Sequence, residues 1–147
     1  MQRANPSAMT PYVPNTVFDQ VVEAVIAIMN TACAPFAQVT RGALPIGPAI
    51  TCELGPSTPD TVYMDKNTYV PLDLTLNGKH PNLQTVTNAM NAIHSKLTRA
   101  TFYPSGPGWE IVDITNGVYP WIIGREENNM WLLASSLYVK IYQKGDD

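Results

Sequence analysis

GVYPWIIGR (Gly117–Arg125), EENN (Glu126–Asn129) and MWLLASSLYVKIY (Met130–Tyr142) are the stretch on which the fold turns. From Trp131 every second residue is apolar (Trp131, Leu133, Leu137, Val139, Ile141), interrupted only by Ser135. That period of two marks a strand with one buried face, and the polar turn before it makes Gly117–Arg125 its antiparallel partner. A slip of one residue would turn the whole apolar set outward, so the register is strongly specified. The opposite face carries Met130, Leu132, Ala134, Tyr138 and Tyr142 beside Ser136 and Lys140. A strand dressed on both faces belongs to a sheet centre or to a surface that another subunit covers.

Upstream, Leu83, Val86, Met90, Ile93 and Leu97 recur at helical spacing and predict a helix after Pro81, whose ring suits a first turn. An earlier helix starts after Pro14-Asn15-Thr16, with Thr16 as cap and Asp19 near the positive helix end. Its apolar stripe runs from Val17 to Met29, and Pro35 ends it. Between the helices, Phe36–Arg41, Ala49–Leu54, Thr61–Lys66 and Tyr69–Leu76 read as strands, with Asn77-Gly78 as a turn. Pro71 places its end of the strand at an edge or a bulge. Trp109–Ile114 is a further strand, separate from the terminal hairpin. The expected class is α+β: a two-layer, mostly antiparallel sheet with both helices on one face. Residues 1–14 read as a flexible arm, 15–143 as one domain, and 144–147 as a frayed tail.

The 147 residues include 13 prolines, and only 14% are charged, against roughly 25% in an average soluble domain. A weakly charged, proline-punctuated surface fits a part that packs against other parts. The net charge of −3, with Lys and Arg spread singly, argues against nucleic-acid binding. No apolar run has membrane-spanning length, and the N-terminus lacks the apolar core of a secretory signal. Cys33 and Cys52 have no CxxC spacing and read as buried free thiols, with a disulfide as the alternative.

Chemistry finds little support. His80 sits before Pro81, near a helix cap, and His94 reads as a helix-flank side chain. No HExxH, GxSxG, Walker or GxGxxG pattern occurs, so no catalytic, cofactor or metal residue is assigned. Asp60 with Asp65, or Glu110 with Asp113, could pair as acid and base, but such spacing is common on solvated edges. Trp109, Trp121 and Trp131 are core or interface anchors before they are a ligand platform.

The layout, with its buried first helix, the central helix Leu83…Met90-Asn91-Ala92-Ile93…Leu97, then Trp109-Glu110-Ile111-Val112 and the closing Ser136–Tyr142, resembles the tail terminator proteins of long-tailed bacteriophages. These are also labelled minor capsid or head-tail joining proteins. The resemblance spans residues 15–143 and rests on segment order rather than an invariant motif. It implies a homo-oligomeric ring, usually a hexamer, that caps the tail tube, ends tube polymerisation and meets the head connector, with DNA only passing through. It implies a virion protein assembled in the host cytoplasm, without catalysis, cofactor or membrane contact. On the residues, Tyr63, Met64, Asp65 and Lys66 are expected at subunit contacts, because the proline-bounded segment Gly55–Val70 is long enough to reach a neighbour. The alternatives are a head-tail adaptor of the neck, a non-viral binding domain, or a small enzyme built from residues such as His94, Tyr63 and Asp65.

Overall fold

The alternation in the last strand is realised residue by residue. In the computed structural model, which describes residues 17–55, 61–62 and 68–143, the chain runs α1 (Val17–Ala32), β1 (Ala49–Leu54), β2 (Thr61–Val62), β3 (Thr68–His80), α2 (Leu83–Thr98), β4 (Ser105–Gly106), β5 (Trp109–Arg125) and β6 (Trp131–Gln143). Leu133, Leu137, Val139 and Ile141 are buried in the core, while Trp131 is half-buried with the Arg125 guanidinium 4.4 Å above its ring. Ser135, the break in the pattern, is buried as well and holds a histidine from α2.

The sheet is antiparallel with strand path β1-β3-β6-β5-β4, and β2 pairs beside β1 on the same side of β3. β3 and β6 pair without a shift from Thr68↔Gln143 to His80↔Trp131. The β5–β6 ladder instead shifts between Ile111 and Asp113, Asn116 and Val118, Val118 and Trp121, and Ile122 and Gly124. One face of β3 (Val70, Leu72, Leu74, Leu76) joins the inward face of β6 and the stripes of both helices in a single core. α1 contributes Val21, Val22, Val25, Ile26 and Met29; α2 contributes Val86, Met90, Ile93 and Leu97. This is the α+β arrangement expected, with both helices serving one apolar face of the sheet.

Several boundaries differ from expectation, each for a physical reason. Asn77-Gly78 is not a turn: β3 continues through it, because α2 crosses there. A Cβ on Gly78 would lie 2.7 Å from Met90 Sδ and 2.9 Å from Val86 Cγ2. The chain turns at Pro81-Asn82 instead, so Pro81 precedes the helix and Asn82 caps it, accepting from Thr85 N at 3.1 Å. His80 supports that cap by accepting from Asn82 N through Nδ1 at 2.9 Å. Trp109–Ile114 and Gly117–Arg125 form one strand, since Thr115 and Asn116 stay in register with Tyr138 and Leu137 and a bulge at Gly117 does not end the ladder. Phe36–Arg41 makes only an isolated parallel bridge, Thr40 to Thr51. α1 ends three residues before Pro35, with Ala34 in the left-handed region (φ 47°).

Pro71 lies on central strand β3, yet its surroundings meet the expectation of an edge. On the side away from β6, the pairings of β1 and β2 stop at Leu54↔Leu74 and Thr61↔Tyr69, leaving Pro71 between them. The turn Glu126–Asn129 closes through Glu126 N→Met130 O (2.8 Å), with Asn129 at φ 66°, a conformation asparagine tolerates. Cys33 and Cys52 are both free.

Replacing Ile93, which is fully buried, with Ala should cost roughly 2–5 kcal/mol in urea unfolding. Gly78→Ala should cost about 1–3 kcal/mol, because the Met90 and Val86 side chains must shift to admit one methyl group. An unchanged midpoint for either variant would contradict this docking of α2.

Candidate functional site

The most conspicuous surface of the protein is the free edge of β5. On one side β5 pairs with β6; on the other, β4 covers only Trp109 and Glu110, followed by one bond from Ile111 N to Pro104 O (3.1 Å). Beyond that point no described strand reaches it. Among the described residues, six of the nine exposed large hydrophobic side chains lie on β5 (Val112, Val118, Tyr119, Trp121, Ile122, Ile123), so exposure is concentrated rather than scattered. Residues directly opposite in an antiparallel pair share a face. Val118 and Trp121, opposite Ser136 and Ala134, therefore lie on the face away from the helices, and Ile122, opposite Leu133, on the helix face. After Ile114 no β5 residue is buried.

An open edge with apolar groups on both faces is a template for pairing, which natural sheets restrain with bulges, prolines and charges. β5 has bulges and Pro120, so its remaining donors and acceptors are unevenly spaced. The second face of β6 is less bare than expected from its sequence. Met130 is buried, Leu132, Ala134 and Tyr142 are half-buried, Tyr142 packs on Tyr69 at 5.0 Å between rings, and only Tyr138 and Lys140 stand out.

Where β5 leaves the core, a buried polar cluster ties it to α2 and β6. His94, expected on a helix flank, is only 2% exposed. Its Nδ1 lies 2.8 Å from Asn116 Oδ1 on β5 and its Nε2 lies 2.8 Å from Ser135 Oγ on β6. Asn116 Nδ2 faces Tyr119 Oη at 3.4 Å, which leaves the amide oxygen to accept. The imidazole proton then resides on Nδ1, and Nε2 accepts from the Ser135 hydroxyl. The order serine, histidine, amide is that of a nucleophile, its base and an orienting group. Ser135, however, is only 4% exposed, and the described cavities are lined by other residues. In this setting the cluster acts as a clamp between elements. Burial holds the His94 pKa below its ordinary value, against the hydrogen bond that Nδ1 donates to Asn116 Oδ1, so the clamped ring is neutral.

At the opposite end of the sheet, Arg41 stands among three carboxylates. Its Nη2 is 2.6 Å from Glu53 Oε1, and its Nη1 is 3.1 Å from Asp19 Oδ1 and 3.6 Å from Glu23 Oε2. Hydrogen bonding to Glu53 raises the Arg41 pKa further, and although burial opposes it, Arg41 holds the Glu53 carboxyl below its usual value. An open groove of about 730 Å³ lies between the helix ends, lined by Ile28, Ala92, Lys96, Arg99 and Phe102 among others. Among the described residues, no group of three or more His, Cys, Asp or Glu could hold a metal, and no helix is long and apolar enough to cross a membrane.

Of the residues singled out in the sequence, Tyr63, Met64, Asp65, Lys66 and Asp60 lie outside the described residues. Trp109 is a core anchor, donating from Nε1 to Gln20 Oε1 at 2.8 Å, whereas Trp121 is exposed. Glu110 and Asp113 are both exposed, as solvated edge residues would be. The β5 edge itself had a signal: apart from the Tyr119 hydroxyl and the Trp121 indole N–H, Val118 to Ile123 carries no polar side-chain group, so neither face of that strand is matched to water.

No protein-family model matches the sequence, and no curated protein does. Among solved structures, the chain is similar to one in the virion of a native gene transfer agent particle, with a TM-score of 0.53 and 15% sequence identity. The match covers 81% of this chain and 85% of that one. At that identity the likeness is one of fold.

The clamp has a pH signature. A histidine held neutral in the native state but free to bind a proton when unfolded removes stability as pH falls through about 6.5, and the loss ends only below the depressed native value. Unfolding free energy should therefore drop between pH 7.5 and pH 5.5 by no more than about 1.4 kcal/mol per pH unit. His94→Gln should start lower at pH 7.5 and lose most of that slope. A slope unchanged in the variant would show that His94 is not its source.

Proposed function

We propose that this protein is a non-enzymatic virion component that forms a ring on the end of a tail tube, stopping tube growth and presenting a surface to the head connector. The observation that carries the reading is the open, apolar β5 edge on a chain whose fold resembles a virion chain. A surface with exposed apolar groups on both sides of one edge fits a subunit that is covered in its working state. A stable interface buries about 800 Å² per partner, and a strand edge with its flanking side chains is a natural centre for one. Closed rings form when the same head-to-tail contact repeats and the rotation closes. The resemblance of the segment order to tail terminators is what supports the capping role. In this reading Tyr63, Met64, Asp65 and Lys66 add to subunit contacts. The same edge would serve a neck adaptor, for which the virion likeness speaks equally.

Native mass measurement and electron microscopy of the protein mixed with tail tubes test this. The expected result is a ring, hexameric by the resemblance, seated on tube ends, and tails of uncontrolled length when the protein is omitted. Tails of normal length without the protein would remove the capping role and favour the adaptor. A chain that stays monomeric and never associates with tubes would remove the ring. Trp121→Ser should reduce self-association and leave the unfolding midpoint within about 0.5 kcal/mol of the parent, because the side chain is exposed.

A further inference from the structure

The sheet has two ends, and each presents an apolar feature that is exposed among the described residues. At the β5 end it is the edge just described. At the β1 end it is Ile46, which is 98% exposed. Ile46 sits in the segment Gly42-Ala43-Leu44-Pro45-Ile46-Gly47-Pro48, which leads directly into β1, the first strand of the path. Gly42 and Gly47 have φ of 95° and 91°, and Pro45 and Pro48 restrict the backbone between and after them. The two prolines reduce the conformational freedom that the loop would lose on docking, and the loop holds an isoleucine in water.

Charge distinguishes the two ends as well. Arg41, at the base of this loop, is one cation among Asp19, Glu23 and Glu53, and the Glu23 and Glu53 side chains are 50% and 42% exposed. The β1 end thus carries surplus negative charge. At the β5 end, Arg125 stacks on Trp131 and makes no ion pair among the described residues; of its neighbours, Glu126 is engaged by Lys79 at 3.5 Å and Glu127 is exposed. A knob beside three carboxylates at one end and an apolar edge that ends at Arg125 at the other cannot meet within one copy, because β3 and β6 lie between β1 and β5.

We infer that the occupant of the β5 edge is a second copy of this chain, whose Ile46 loop packs against Val118–Ile123 while its acidic cluster faces Arg125. This rests on the ring reading and specifies its contact: the interface is head-to-tail, so each copy uses one end of its sheet as donor and the other as acceptor. The bulged β5 ladder favours a side-chain knob over a symmetric β5–β5 pairing, which would require regularly spaced backbone groups and would leave Ile46 uncovered.

Cysteine pairing on assembled rings tests the contact, in a Cys33→Ser background with the buried Cys52 retained. Ile46→Cys is combined in turn with Ile122→Cys and Trp121→Cys, which sample both faces of β5. Oxidation should give a covalent ladder up to the ring size from at least one double variant, and none from the single variants. Ile46→Asp should weaken self-association by roughly tenfold or more without lowering the unfolding midpoint. Rings that assemble but never cross-link, or that tolerate Ile46→Asp, would overturn the contact and leave the ring reading standing. Cross-linked dimers from Ile122→Cys or Trp121→Cys alone would replace it with a symmetric β5 contact. A chain monomeric in the presence of tubes would overturn both.

Discussion

The parity of β6 is the constraint on which everything else depends. Its inward residues sit under two helices, and its pairing with β3 runs over the full strand without a break. A uniform ladder on that side leaves no freedom in register, because any slip would exchange a buried leucine for a half-exposed neighbour. Irregularity is confined to the other side, where β5 follows β6 through successive bulges. The strand that bulges is also the one that carries the exposed apolar groups. Trp121 and Ile122 lie on opposite faces of this strand, both exposed, and no described element of the chain covers them.

Two polar insertions fix how the layers sit on this frame. His94 reaches from α2 to both β5 and β6, and its ring is satisfied at each nitrogen, so a group that would be costly to bury alone becomes a fastener between three elements. Arg41 does the equivalent at the other end, joining α1 through Asp19 to β1 through Glu53. The first fastener is neutral and the second is ionic, so acid acts on them through different groups: a ring that gains a proton in one and a carboxylate that gains one in the other.

Much of this was legible in the residues themselves. The period-two run of β6, the stripe from Leu83 to Leu97 and the Glu126–Asn129 turn are local patterns, and local patterns survive into structure when one face must be buried. Asn77-Gly78 misled, because a turn-forming pair serves the close approach of a helix, and Trp109–Ile114 was kept apart from the terminal hairpin although a bulge at Gly117 lets the strand run on. His94 was hidden for a different reason. Its partners are 22 and 41 residues away in sequence, and no spacing rule links them. The open edge is likewise a property of strand order, which no single segment encodes, although the unbroken apolar run from Val118 to Ile123 hinted at it. The segment Tyr63–Lys66, singled out for subunit contact, lies outside the described residues, and the candidate surface moved to β5.

Cys52 lies in β1 with its side chain in the core, 1% exposed, and burial pushes its thiol up to about 12. Reactivity with electrophiles requires the thiolate, so in the native fold this sulfur is silent at neutral pH twice over, by access and by ionisation. It becomes reactive only when the first strand of the sheet lifts away from β3. The protein thus contains its own clock for the opening of that end: the rate at which Cys52 is alkylated reports how often β1 detaches, and any partner that grips the β1 end would slow it.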